Sequence, residues 1–345
     1  MKDRFDIDFI RIKAEKILMD RGMPVKDASL FVDSMISADM CGVSTHGIRM
    51  LHSYVQKLDR GEFSFRKPEV ERQMPGFTKI DAQNTIGAVS ATYATDVAIG
   101  EAKKSGVHTV FSRNANTFGS GFYYVERIAE AGLIGFACCN APAAMPAFNG
   151  IEVMLGTNPL AFATPTKSFG NIVIDMATSV VAKSRLGVAK ARGEELEPGW
   201  ALDKDGNPTT DPDEGIQGFV LPMAGFKGYG IAMIIDIISG LLSGAGYLNG
   251  VGKFYSQNGA CMNVGHMIVA FDPSLIYEGD YLSDADRYVR RLRASKTVEG
   301  KQILIPGDDR KRRKAEAEKF GIILTSDVVE KLERLFEEKL RQRME

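Results

Sequence analysis

Gly156-Thr-Asn-Pro-Leu-Ala-Phe-Ala-Thr-Pro165 and Ile172-Val-Ile-Asp-Met-Ala-Thr-Ser179 decide how this chain reads. Each holds a short apolar run rich in strand formers, and no helical pattern separates them, so they predict an antiparallel pair. Before them, strand-like runs alternate with helical ones: 77–81, then 91–104; 107–112, then 123–131; then 133–139. Alternation predicts an α/β domain, and the hairpin-like pair makes its sheet mixed. The small polar residues at the strand ends let a ligand approach the main chain, and a helix start after Ser179 supplies free N–H groups. Such a junction can hold an anion or simply join a strand to a helix.

On either side of this core the pattern is helical. Apolar residues at helical spacing mark helices near 6–21, 24–40 and 48–61, and the proline-bearing stretch 63–74 reads as a linker. Residues 179–192 form a further predicted helix, and 187–222 a long polar loop crowded with turn formers at 203–214. Residues 228–244 are a strongly apolar helix expected to be buried on most sides, and 264–271 a late strand. The tail returns to helix near 274–298, 308–319 and 327–343. The expected organisation is a helical subdomain built from 1–74 and 274–345, around an α/β domain of 75–273.

The totals suit such a protein and exclude others. A chain of 345 residues with 44% hydrophobic and 25% charged content can bury a large core. A net charge of −1, from 43 basic and 44 acidic residues, offers no field for nucleic acid. The basic clusters Arg290-Arg291 and Lys311-Arg-Arg-Lys314 have acidic neighbours and read as solvated helix faces. Four cysteines without metal-ligand spacing, and no apolar run long enough to span a bilayer, predict a cytoplasmic protein with no metal site.

Chemistry has few places to sit. No glycine fingerprint follows a strand, and there is no P-loop or nucleophile elbow. Of four histidines, His46 in Ser44-Thr-His-Gly-Ile-Arg49 is the most suggestive. It could exchange a proton near neutral pH beside a guanidinium able to grip a carboxylate, or merely decorate a helix start. His52, His108 and His266 read as structural. Asp175 could meet a ligand or cap a helix. Lys227, boxed by glycines in Pro222-Met-Ala-Gly-Phe-Lys-Gly-Tyr-Gly230, suits phosphate or carboxylate.

Taken in order and spacing, residues 44–54, 114–124, 140–150, 156–159, 175–182, 198–212, 222–230 and 305–308 resemble the malate/L-lactate dehydrogenase family that lacks a Rossmann fold. Its members include ureidoglycolate, sulfolactate and 2,3-diketogulonate oxidoreductases and a cyclic-imine reductase. The resemblance implies a homodimer that binds NAD or NADP in an unusual α/β domain. It sets the nucleotide against Asn140, Thr157, Asn158, Asp175, Ala177, Thr178, Ser179, Lys227, Pro306 and Gly307. It makes His46 the acid/base, and Ser44, Thr45, Arg49 and Tyr54 the contacts of a small 2-hydroxy or 2-oxo acid.

Two positions depart from the family pattern. Asn114-Ala-Asn-Thr-Phe-Gly119 commonly reads Asn-Ser-Asn-His-Phe-Gly in the family, so Thr117 stands where a second catalytic histidine is usual. A threonine can hydrogen-bond the reacting oxygen but cannot act as a base near neutral pH. The family's usual arginine falls at Met50, with Arg49 one place earlier, about 100° around a helix. Hydride transfer on an unusual 2-hydroxy acid is the leading expectation. The alternatives are a cyclic imino-acid reductase, whose substrate arrives protonated, and a non-catalytic dinucleotide-binding homologue.

Overall fold

The computed structural model describes residues 2–256 and 261–342. Its centre is a seven-stranded sheet of β1 (Glu69–Met74), β2 (Phe77–Asp81), β3 (Val107–Ala115), β4 (Ile134–Cys139), β5 (Leu160–Thr164), β6 (Ile172–Met176) and β7 (Val264–Phe271). Their spatial order is β1-β2-β3-β7-β4-β5-β6, and only β2 and β3 run parallel. The predicted hairpin is there, with Leu160 opposite Met176 and Thr164 opposite Ile172. The last strand in sequence, β7, fills the middle of the sheet, where both neighbours cover its backbone.

Helix α1 (Ile7–Met19) starts where the Asp6 side chain accepts the Phe9 amide, and it buries Ile10, Ala14, Ile17 and Leu18. It packs on α2 (Val25–Met40) and on the C-terminal helix Ser326–Gln342. Lys2–Phe5 pairs with Ile322–Thr325, so the two ends of the chain are stitched together. The stripe Ala88, Ala91, Ala94, Ala98 and Ala102 of the helix Gly87–Ser105 is buried. Small side chains there let the helix lie close on β3 and β7. One core joins the terminal helices to the sheet, and a second gathers Ala144, Met145, Leu155, Leu186, Leu196, Ala201, Val220 and Ala232.

Four expectations change. Residues 63–74 are not a plain linker, because Glu69–Met74 is the edge strand β1; all six side chains are exposed, so no buried alternation marks it in the sequence. The polar stretch 187–222 is not irregular: it holds most of the helix Lys183–Arg192, a three-stranded sheet (Ala201–Leu202, Pro208–Thr209, Phe219–Val220) and the helix Pro212–Gln217. The helix predicted from residue 179 begins only at Lys183, because 178–180 zip onto 221–223 instead. The apolar segment after Gly225 is helical over Phe226–Ile235 and π-helical over Asp236–Leu241, yet it is not buried on most sides. Met233, Ile234, Ile237, Leu241 and Leu242 are 40–63% exposed. Among the described residues no helix is long and apolar enough to cross a membrane.

Candidate active site

Two short 3-10 turns, Ser44–His46 and Ile48–Met50, carry the histidine and the arginine on either side of Gly47. Asp39 of α2 holds this double turn, accepting the Ile48 amide at 2.7 Å. A Cβ on Gly47 would lie 2.1 Å from Asp39 Oδ1, so only glycine lets the carboxyl group come so close. Burial outweighs that amide and the nearby Arg49 charge, and pushes the Asp39 pKa up to about 7. Asp39 lies in no motif, so nothing in the sequence singles it out.

The turns open into a cleft of about 190 Å³. Thr45, His46, Arg49, Tyr54 and Thr117 all line it, so five of the six residues expected around the substrate share one space. Ser44 does not; it faces an adjoining cleft of about 610 Å³ between the terminal segments and the helix Lys183–Arg192. His52 also lines that larger cleft and is half-buried. His46 is exposed where it lines the smaller cleft, but crowding by protein atoms and then the Arg49 charge push its pKa down to about 4. The imidazole is therefore neutral at pH 7 and can accept a proton.

Tyr54 is buried among Phe31, Phe63 and Phe254, with ring centroids 4.7, 5.8 and 4.9 Å away, and this burial raises its pKa. Thr117 is fixed through its main chain: a Cβ on Gly87 would lie 2.0 Å from the Thr117 carbonyl. Beside it the Ser120 hydroxyl is buried without a protein partner, a group the sequence did not flag. His108 and His266 are structural, paired with the Thr78 hydroxyl at 2.9 Å and the Asn116 carbonyl at 3.0 Å.

The residues expected around the cofactor fall into two places. Thr178 donates both its amide and its hydroxyl to the Thr157 carbonyl, each at 3.0 Å, and accepts the Met223 amide at 2.9 Å. Ser179 donates to the Val181 carbonyl. Asn158 spans the Ala141 amide and the Ala232 carbonyl. Asn140 accepts the Gly265 amide at 2.9 Å and donates to the Gly246 carbonyl at 2.7 Å. These side chains build the floor; Thr157 and Ala177 are partly exposed above it. Pro142 and Ser184, just beyond them in sequence, line the smaller cleft, so floor and cleft adjoin. Asp175 caps a helix, but it is the earlier one, Phe122–Glu130, whose Phe122 amide it accepts at 3.0 Å.

Lys227 lies in the first turn of the helix Phe226–Ile235, exposed and without a carboxylate in ion-pair range among the described residues. Gly225 turns into that helix at φ +62°; the Phe226 and Lys227 amides open the helix and have no intrahelical acceptor, whereas the Gly228 amide donates to the Met223 carbonyl at 3.0 Å. Gly228 packs against the floor, where a Cβ would lie 2.3 Å from the Met223 carbonyl and 2.8 Å from that of Thr178. A helix N-terminus with a free lysine fits a phosphate-bearing ligand. Pro306 and Gly307 sit elsewhere, at the start of β6, where the Val173 amide donates to the Pro306 carbonyl at 3.0 Å.

The model of the malate/L-lactate dehydrogenase family matches residues 5–333. The malate/(S)-sulfolactate dehydrogenase of Methanothermus fervidus is 32% identical over 325 residues, 94% of each chain. The sulfolactate dehydrogenase structure from Methanocaldococcus jannaschii superposes with a TM-score of 0.91 at 30% identity, over 98% of this chain and 97% of that one. The Δ1-piperideine-2-carboxylate reductase structure from Pseudomonas syringae pvar. tomato does so with a TM-score of 0.88 at 25% identity, over 96% and 99%. The similarity spans terminal helices, mixed sheet and cleft together, and the chain belongs to the malate/L-lactate dehydrogenase family.

Proposed function

We propose that this protein is an NAD- or NADP-dependent oxidoreductase that interconverts a small 2-hydroxy acid and its 2-oxo acid. The observation that carries the reading is a neutral His46 beside Arg49 in one cleft, next to a floor that ends in a free lysine at a helix N-terminus. When bound, the nicotinamide supplies a hydride acceptor for C2 of the hydroxy acid. His46 takes the hydroxyl proton as that hydride leaves, and returns it to the carbonyl oxygen in the reverse direction. Arg49 orients the carboxylate, and Thr117, with the Ser120 hydroxyl, hydrogen-bonds the reacting oxygen. Turnover of a 2-oxo acid panel, followed by NADH and NADPH absorbance, tests the reading; no consumption with any member overturns it.

The Lys227 side chain, with the Phe226 and Lys227 amides, holds the dinucleotide's phosphates in this proposal, with Asn140, Asn158, Asp175, Thr178 and Ser179 shaping the surface below. Lys227→Gln weakens dinucleotide binding about tenfold or more, the worth of a charged hydrogen bond, and leaves kcat nearly unchanged. Calorimetric titration checks this, and unchanged affinity removes Lys227 from the site.

A cyclic imino-acid reductase is the second reading, supported by Thr117: an iminium substrate needs no second proton donor. Adding cyclic imino acids to the panel separates the two.

The protein works as a cytoplasmic homodimer in this reading, with the terminal segments 1–74 and 274–345, apart from the edge strand β1 that joins the sheet, forming a helical layer against the α/β part, 75–273. The exposed row Met233, Ile234, Ile237, Leu241 and Leu242 supports a self-interface, since so much contiguous apolar surface is uncommon on a monomer. Ile237→Asp should convert a dimer to monomers in light scattering, because an unpaired charge in that interface is costly. A wild-type monomer, or a variant that remains dimeric, counts against this interface.

A further inference from the structure

The smaller cleft carries a charge asymmetry that bears on its substrate. Among the described residues lining it, Arg49 is the only fixed cation; His46 is neutral at pH 7, and the remaining polar groups are hydroxyls. The rest of the wall is apolar: Met35, Met50, Phe118, Phe254, the Tyr255 ring and Met262. The Tyr255 hydroxyl lies 3.7 Å from Met50 Sδ, and both residues stand between this cleft and the larger one, lining each. Arg49 lines both clefts, and the other Arg and Lys side chains of the larger one are paired. Arg4 pairs with Glu316, Arg192 with Glu194, Arg313 with Asp309 and Lys331 with Asp327. Arg49 has no ion-pair partner within 4.0 Å among the described residues, and Asp39, whose carboxyl group feels its charge, accepts the Ile48 amide instead.

One uncommitted cation neutralises one anion. A second carboxylate or a sulfonate placed against methionine and phenylalanine side chains would lose hydration without gaining a counter-charge. An aliphatic or aromatic substituent there gains from the same surface. Resting on the hydroxy-acid reading above, we infer that the substrate is a monocarboxylate with an apolar side chain, Arg49 holding its carboxylate and Met50 with Tyr255 selecting the substituent.

The test compares 4-methyl-2-oxopentanoate and phenylpyruvate with oxaloacetate and 2-oxoglutarate, on wild type and on Met50→Arg. The wild type should favour the apolar monocarboxylates in kcat/KM by about tenfold or more. The variant supplies a second cation, and the ratio should move toward the dicarboxylates by a similar factor. A wild-type preference for oxaloacetate or 2-oxoglutarate, or a ratio indifferent to Met50→Arg, overturns the inference. If no acid is turned over, the activity reading fails, and calorimetric binding of isovalerate against succinate decides recognition on its own. Tighter isovalerate binding supports an apolar monocarboxylate site, whereas equal or tighter succinate binding overturns it.

Discussion

His46→Asn lowers kcat by about two orders of magnitude or more, the usual worth of a positioned acid/base, while KM changes little. Asparagine keeps the size and part of the hydrogen bonding of imidazole but cannot carry a proton. The turn should persist, because the Asp39–Ile48 bond and Gly47 hold it without help from the histidine side chain. The pH profile gives a second readout. A base with its pKa pushed down to about 4 is deprotonated above that value. In the oxidation direction kcat/KM therefore rises with pH through about 4 and is flat toward neutrality. Arg49 is one cause of the low value, so Arg49→Met should raise the His46 pKa and carry the rising limb to higher pH. In the substrate complex the bound carboxylate offsets the same cation, so the limb in kcat lies above the limb in kcat/KM. An H46N enzyme within about threefold of wild type, or a profile unmoved by Arg49→Met, would remove His46 from the proton path.

How far the sequence reaches into this molecule depends on the kind of signal. Strands with one buried face alternate, and helices with a buried stripe repeat, so β2 to β6 and the terminal helices are legible. Glu69–Met74 escapes because an edge strand exposed on both faces has no such pattern, and Lys2–Phe5 because its partner Ile322–Thr325 lies at the far end of the chain. The apolar helix after Gly225 misleads for another reason: hydrophobicity reports that a surface avoids water, not whether the same chain covers it. In the site, His46, Arg49 and Thr117 stand out through residue chemistry and family resemblance, and the fold brings them to one cleft. Asp39 and the Ser120 hydroxyl do not, since the first acts through a main-chain amide and the second is defined by having no partner. The bridging bonds of Asn140 and Asn158 have no sequence signal, because their partners, the Gly246 and Ala232 carbonyls, lie far along the chain.

Gly265→Ala should be among the most damaging single substitutions in the protein, with a cost of about 4 kcal/mol or more and a fall in Tm of about 5 °C or more, or no soluble protein at all. Gly265 sits in the central strand β7, its amide bonded to Asn140 Oδ1 at 2.9 Å and its carbonyl accepting the Asn140 amide at 3.3 Å. A Cβ there would lie 1.4 Å from the Ser239 carbonyl oxygen and 2.8 Å from the Ser243 hydroxyl. Neither neighbour is a flexible tip. Ser239 and Ser243 are fully buried, and their hydroxyls are bonded back to the Ile235 and Ser239 carbonyls. The π-helical turn would have to withdraw by about 2 Å to restore ordinary contact, opening space in a close-packed interior. That movement would pull on Asn140, which also donates to Gly246, so dinucleotide binding should weaken in whatever fraction folds. Gly100→Ala is the matching control: it lies within the helix Gly87–Ser105 with nothing within 4 Å of its Cβ. There the lower backbone entropy of alanine should stabilise by about 0.5–1 kcal/mol. A G265A protein that melts within about 2 °C of wild type would mean that β7 and the turn can part cheaply. The close approach would then not be what holds the floor around Asn140 against the sheet.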